Sequence, residues 1–284
     1  MKTKKSTLTI AIAVIGVVLL LALGVAAPAL SKSTMFTLLA ATGTPTPSAG
    51  DVIPLKSIDG LTSLNAAVKI DANGLINGKR TQGDLTAELT TNNQGSSKIT
   101  VTGPLLGDIT AQVGGSLVGL FTPSSVDIYN VPQGSYIVVN SLIPVCIKPS
   151  SPKATEALDQ LSPQALLNML TNSDVARGKL VDKMTVNGAP VNHYVVNGDA
   201  FLAAAQKSQD EKLKTFGDAL WDAKDADLYV DAKGGYPLAF NGSYSGTYEP
   251  LKFEGDFDVQ IELTGINQDT PVKLPASCNK PIIQ

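Results

Sequence analysis

Leu64-Asn65-Ala66-Ala67-Val68-Lys69-Ile70-Asp71 decides how this chain is read. Leu64, Ala66, Val68 and Ile70 fall on one side of an extended strand, with Asn65, Lys69 and Asp71 on the other. Strand side chains alternate between faces, so a period of two marks a strand with one apolar and one wet face. The pattern recurs at Leu85, Ala87 and Leu89 against Asp84, Thr86, Glu88 and Thr90, and again at Ile99 and Val101. Val126 and Ile128, then Ile137 and Val139, continue it. Phe257, Val259, Ile261 and Leu263 alternate with Asp256, Asp258, Gln260 and Glu262, the sharpest polarity in the chain. A sheet buried on both faces would show continuous apolar runs, so these strands predict an antiparallel sheet wet on one side.

The middle of the chain changes period. Pro152 to Leu158 predicts a short helix, and Ser162-Pro163 reads as a cap with proline at the first helical position. Leu166, Leu167, Met169 and Leu170 form the stripe of the helix started there. Residues 181–186 and 191–196 predict a hairpin around Asn187-Gly188, a favoured turn pair. Asp199 is placed to cap a longer helix from Ala200 to about Ala223, with Gly217 as a potential break. Strands then return at Leu228 and Val230, at Pro237 to Tyr244 after the Gly234-Gly235 turn, and around Ile261. Strands, helices, then strands make an α+β arrangement, with helices against one face of a curved antiparallel sheet.

Ahead of this lies an apolar stretch, Leu8 to Leu30, behind the basic start Met1-Lys2-Thr3-Lys4-Lys5. A basic opening before an apolar core leaves the N-terminus in the cytoplasm and exports the remainder of the chain. Two readings stand for residues 1–32. They are long enough for a transmembrane anchor, and Ala27-Pro28-Ala29 offers a signal-peptide exit. No cysteine lies just beyond to carry a lipid, because the only two are Cys146 and Cys278. Residues 33–54 read as a linker, stiffened by Pro45-Thr46-Pro47, and residues 55–284 as the folded domain. Expected locations are therefore the outer side of a cell membrane, or the extracytoplasmic space if the leader is cut.

Loss of residues 1–29 removes Lys2, Lys4 and Lys5 and moves the formal charge from −3 to −6. A mildly acidic exported domain is a poor candidate for nucleic acid. In an exported chain Cys146 and Cys278 most simply pair, and two unpaired buried thiols are the alternative. His193 is the only histidine, so multi-histidine metal sites are out of reach, and a surface or edge-strand position is the plain reading. Cys146 with His193 as base is conceivable, but Val145-Cys146-Ile147 among prolines suits a buried strand end better. Asp222, Asp225, Asp227 and Asp231 lack the spacing of a calcium loop. No catalytic residue, metal site or cofactor is assigned, and the chain is read as a non-enzyme.

The second half carries a family likeness. Leu161-Ser162-Pro163-Gln164 leads into a helix, and a Val-rich hairpin precedes an amphipathic one. Then come Ala226-Asp227-Leu228-Tyr229-Val230-Asp231, Gly234-Gly235-Tyr236-Pro237-Leu238 and Pro271-Val272-Lys273-Leu274-Pro275. This order resembles the exported LppX/LprG-type lipid-binding proteins, relatives of the LolA/LolB lipoprotein carriers. The resemblance implies a strongly curved β half-barrel wrapped around helices, with a hydrophobic cavity between them for acyl chains of a lipid or lipoprotein. The cavity candidates are Leu64, Ala66, Val68, Ile70, Leu85, Ala87, Leu89, Ile99, Val101, Leu166, Leu170, Phe257, Val259 and Ile261, and small residues such as Ala66, Ala87 and Ala111 would widen it. The chain departs from the lipoprotein members in lacking the lipidated cysteine. The alternative is a membrane-tethered interaction or sensor domain with a filled core, no lipid cargo and an envelope protein as partner.

Overall fold

The computed structural model describes residues 51–56, 61–76, 78–107, 123–150, 177–186, 189–196, 220–248 and 252–283. These form the strands β1 (Asp51–Val52), β2 (Leu64–Ile76), β3 (Lys79–Thr91), β4 (Ser97–Thr102), β5 (Ser125–Val131), β6 (Gly134–Asn140) and β7 (Val145–Lys148). They continue with β8 (Arg177–Val186), β9 (Ala189–Val196), β10 (Leu220–Ala223), β11 (Ala226–Asp231), β12 (Pro237–Tyr248), β13 (Phe253–Thr264) and β14 (Ile282–Ile283). All belong to one curved sheet in the order β1-β8-β9-β11-β12-β13-β2-β3-β4-β5-β6-β7-β14, with β10 added beside β12. Every pairing is antiparallel except that of β14 with β7. Helix is nearly absent from the described residues. It amounts to a turn beginning at 104–107 and a 3-10 turn, Ala276–Asn279.

Period-two patterning finds its strands. β2, β3, β4, β5, β6 and β13 fall where the alternation placed them, and β2, β3 and β13 run several residues further. The Val-rich hairpin is present as β8 paired antiparallel with β9. The helices expected over 152–170 and over most of 200–223 lie outside the described residues. The last four residues of the second one do not. Leu220–Ala223 is the strand β10. The cause lies in its neighbour, because β11 pairs β12 only from Pro237 to Asn241, leaving the backbone at 244–247 to be satisfied by β10. The sheet also begins earlier than the folded domain read from sequence. Asp51 and Val52, within the stretch read as linker, pair with Gly178 and Arg177.

Local chemistry closes the turns. Asn92 is buried, and its side-chain oxygen accepts from the backbone N–H of Gln94 (3.0 Å) and Ser96 (2.9 Å), holding the β3–β4 turn. Asp231 does the same after β11, accepting from Lys233 N–H (3.1 Å) and Gly234 N–H (2.7 Å).

The three long central strands share a row of glycines. Gly246 of β12, Gly255 of β13 and Gly74 of β2 stand in one row across three neighbouring strands. Gly255 and Gly246 have φ of 155° and 151°, a region side chains avoid. A Cβ on Gly255 would collide with Asn73 O and Gly74 Cα, and one on Gly74 with Glu254 O. In this glycine crease the backbones at Gly74 and Gly255 approach too closely for any side chain.

One corner departs from the one-wet-face rule. Val126 to Tyr129 of β5 and Ser135 to Val138 of β6 are buried without alternation. The outward residues there are covered by the C-terminal segment. Val272 and Leu274 pack against Tyr129, Tyr136, Val138, Cys146 and Cys278. Lys98 Nζ lies 5.5 Å from the Tyr129 ring centroid and Lys148 Nζ 5.1 Å from that of Tyr136. The Cys146–Cys278 disulfide, spanning 132 residues of sequence, fastens this strap and brings β14 alongside β7.

Two consequences are measurable by urea denaturation. Gly255→Ala should cost about 2–4 kcal/mol, through collision and strain together. Gly78→Ala has φ of 75° but open space and should cost only about 1 kcal/mol; equal losses would refute the crease. The double variant Cys146→Ala/Cys278→Ala should lose up to about 5 kcal/mol and expose the amides of 278–283 to hydrogen exchange. Unchanged exchange there would show that the strap stands without its disulfide.

Candidate functional site

Strand register assembles the candidate residues into rows on the inner face. Tyr194, Leu228, Phe240, Ile261, Val68, Ala87, Val101, Val126 and Val139 stand opposite one another in succession across nine strands. A second row runs Leu263, Ala66, Leu89, Ile99, Ile128, Ile137. Ile70 and Leu85 face each other in a third, with Val259 next to Ile70 by register. Tyr244, Phe257, Ala72 and Gly83 make a fourth.

Of the candidates, Leu64, Ala66, Ile70, Leu85, Ala87, Leu89, Ile99, Val101, Phe257 and Ile261 are buried together, and Val68 is half-buried. Val259 holds its place in the register, while Leu166, Leu170 and Ala111 lie outside the described residues. Sequence reasoning stopped short at Ala72 and Ile76, which continue the β2 alternation beyond Ile70 and are also buried. It also missed Phe240 and Tyr244, whose signal is their even spacing on β12 around Gly242. Leu105 and Leu106 are wholly buried, Leu105 beside the inward position Gly83.

The face is free of charge over its centre. Inner positions of β2 from Leu64 to Ile76 and of β13 from Phe253 to Leu263 are apolar or glycine. The outer positions of β13 carry Glu254, Asp256, Asp258 and Glu262. At one end the inner face is aromatic. Tyr244 stacks on Phe257 at 4.9 Å and 18°, and Phe253 meets Phe257 edge-on at 6.0 Å. Burial holds the Tyr244 hydroxyl well above the usual tyrosine range.

His193 sits on the opposite, outer face. It lies in β9 between β8 and β11, half-buried rather than at an edge. Its Nδ1 is 3.0 Å from Asp182 Oδ1 and its Nε2 is 2.7 Å from Asp227 Oδ1, and its ring stacks on Tyr229 at 4.6 Å. Burial, then the charges of Asp227 and Asp182, raise the Tyr229 hydroxyl. The histidine thus ties three strands together. Cys146 lies far along the sheet in β7, with its sulfur in the disulfide, so the conceivable Cys146–His193 pair is not assembled. Among the described residues no cluster of histidine, cysteine or carboxylates could hold a metal ion.

No family model and no curated protein matches the chain. Solved structures do align with it. One is a DUF1329 family protein from Desulfovibrio piger, 10% identical, covering 76% of this chain and 89% of its own, at a TM-score of 0.24. Another is a putative outer membrane lipoprotein-sorting protein domain from Vibrio parahaemolyticus, 8% identical, covering 76% and 88%, at a TM-score of 0.21. Likenesses this low carry no argument about function.

The buried tyrosines make the sheet sensitive to base. Burial, then the charge of Asp127 and a hydrogen bond to it, push Tyr129 up to about 12, and burial raises Tyr244. An unfolded tyrosine ionises near 10, so above that pH the unfolded state holds fewer protons than the folded one. Stability should be constant in this respect below pH 10 and fall as pH rises from 10 to 12. Tyr129→Phe and Tyr244→Phe should each flatten the fall measured by denaturation. An unaltered slope in both would contradict the assignment.

Proposed function

We propose that this chain is an extracytoplasmic binding protein for a hydrophobic ligand, the acyl chains of a lipid or lipoprotein, held against the inner face of the sheet. One observation carries the reading: an uncharged apolar surface continuous through nine strands. Each methylene buried there contributes about 0.8 kcal/mol. Burial of apolar area asks for no fixed polar geometry, so a long flexible chain suits such a face better than a compact polar metabolite. The likeness of the second half to LppX/LprG-type proteins supports the same ligand class. Residues 1–32 would keep the domain beside its cargo's membrane if retained, or release a soluble carrier if cut.

A tethered interaction or sensor domain is the competing reading. Leu105 and Leu106, buried against the sheet near Gly83, favour it, because they show inner space already taken by protein.

Ala87→Phe separates the two. Ala87 stands mid-face between Val68 and Val101. If acyl chains occupy the face, detergent-free wild-type protein should carry lipid in native mass spectrometry. The variant should then fold with undiminished stability and lose the lipid. A filled core predicts no lipid in either protein and a loss of about 1–3 kcal/mol from overpacking.

A further inference from the structure

We propose that the loop between β6 and β7 is a membrane-insertion tip, with Leu142 and Ile143 entering the bilayer that the apolar run Leu8–Leu30 is read to occupy. The inference rests on that reading of residues 1–32. It goes beyond the ligand of the inner face, since it holds whether that face carries lipid or is filled by protein.

Leu142 is 104% exposed and Ile143 74%. Singly exposed aliphatics are ordinary on a protein surface, but these two are consecutive and stand at a loop apex. They lie beyond the Val139–Val145 pair that closes β6 against β7. The foot of the loop is fixed. Asn140 O accepts from Ser124 N–H at 2.8 Å, and Asn140 Nδ2 donates to Ser125 Oγ at 2.9 Å and to Asp127 Oδ2 at 3.1 Å. A fixed foot presents the two side chains with little ordering left to do on contact.

Entry into lipid requires that few polar groups be stripped of water. Ser141 Oγ donates to Ile143 O at 2.9 Å, so hydroxyl and carbonyl answer each other, and Pro144 has no N–H. Residues 128–147 carry no charged side chain. The loop also lacks the aromatic or arginine anchor in which a protein interface concentrates its affinity. A bilayer asks only for apolar area, and two aliphatic side chains supply it. Reach is sufficient, because residues 33–50 extend to at most about 60 Å, against about 40 Å for a strand as long as β2. A domain tethered at that range meets the surface at high effective concentration, so a small wedge is enough.

Tryptophan fluorescence of the full-length chain in phosphatidylcholine/phosphatidylglycerol vesicles tests this. Trp221 is the only tryptophan, so Trp221→Phe clears the background for Leu142→Trp. The introduced indole should lose about half its emission to lipids brominated along the acyl chain and be shielded from aqueous iodide. Gln133→Trp, exposed at the other end of β6, should answer to iodide and not to the brominated lipid. Bromolipid quenching at both places would mean a domain lying flat. Shielding from iodide without bromolipid quenching would mean a protein cover, and iodide quenching alone a loop left in water; each overturns the proposal. Adding Ile143→Asp to Leu142→Trp should cut the bromolipid quenching about threefold, and quenching that survives would deny the pair its role. The unmodified chain gives an answer without mutation. A lipid with a diazirine on its acyl chain should label the peptide holding Leu142 and spare the one holding Gln133, and an unlabelled loop overturns the proposal. A chain that does not float with the vesicles overturns the anchor reading and this proposal with it, and leaves the ligand of the inner face a separate question.

Discussion

The close approach of backbones at Gly74 and Gly255, with Gly246 in register beside them, is the constraint on which the three long central strands depend. Any side chain at Gly74 or Gly255 would strike the backbone of the neighbouring strand, so β2 and β13 can pair through this row only with glycine at both places. Three glycines in register leave one line across β12, β13 and β2 without side chains. The aromatic row of Tyr244 and Phe257 stands next to that line, two residues along each strand.

The two faces of the sheet solve opposite problems. On the inner face the side chains are apolar and shielded, and the register aligns them across strands that are distant in sequence. On the outer face several polar groups are paired with each other. His193 joins Asp182 and Asp227 across three strands, and Asp127 accepts from Asn140 at 3.1 Å. Where β5 and β6 place Tyr129, Tyr136 and Val138 outward, the chain brings its own C-terminal segment to cover them. A short segment with few apolar residues would hold weakly there. The disulfide compensates by limiting how far it can separate even when the strap opens.

Much of this was legible in the alternation of Leu64 to Ile70 and Phe257 to Leu263, because a half-buried strand writes its burial into adjacent residues. The Cys146–Cys278 pairing was legible too, since only two cysteines were present to pair. The features that escaped were decided by distant partners. Leu220 to Ala223 continue an apolar pattern acceptable to a helix, and only the unpaired end of β12 makes them a strand. Val126 to Tyr129 look one-sided until residues 272–278 arrive on the other side. The glycine crease unites positions from opposite ends of the folded chain, each an ordinary glycine in its own strand. Leu166 and Leu170, read as cavity residues, lie outside the described residues.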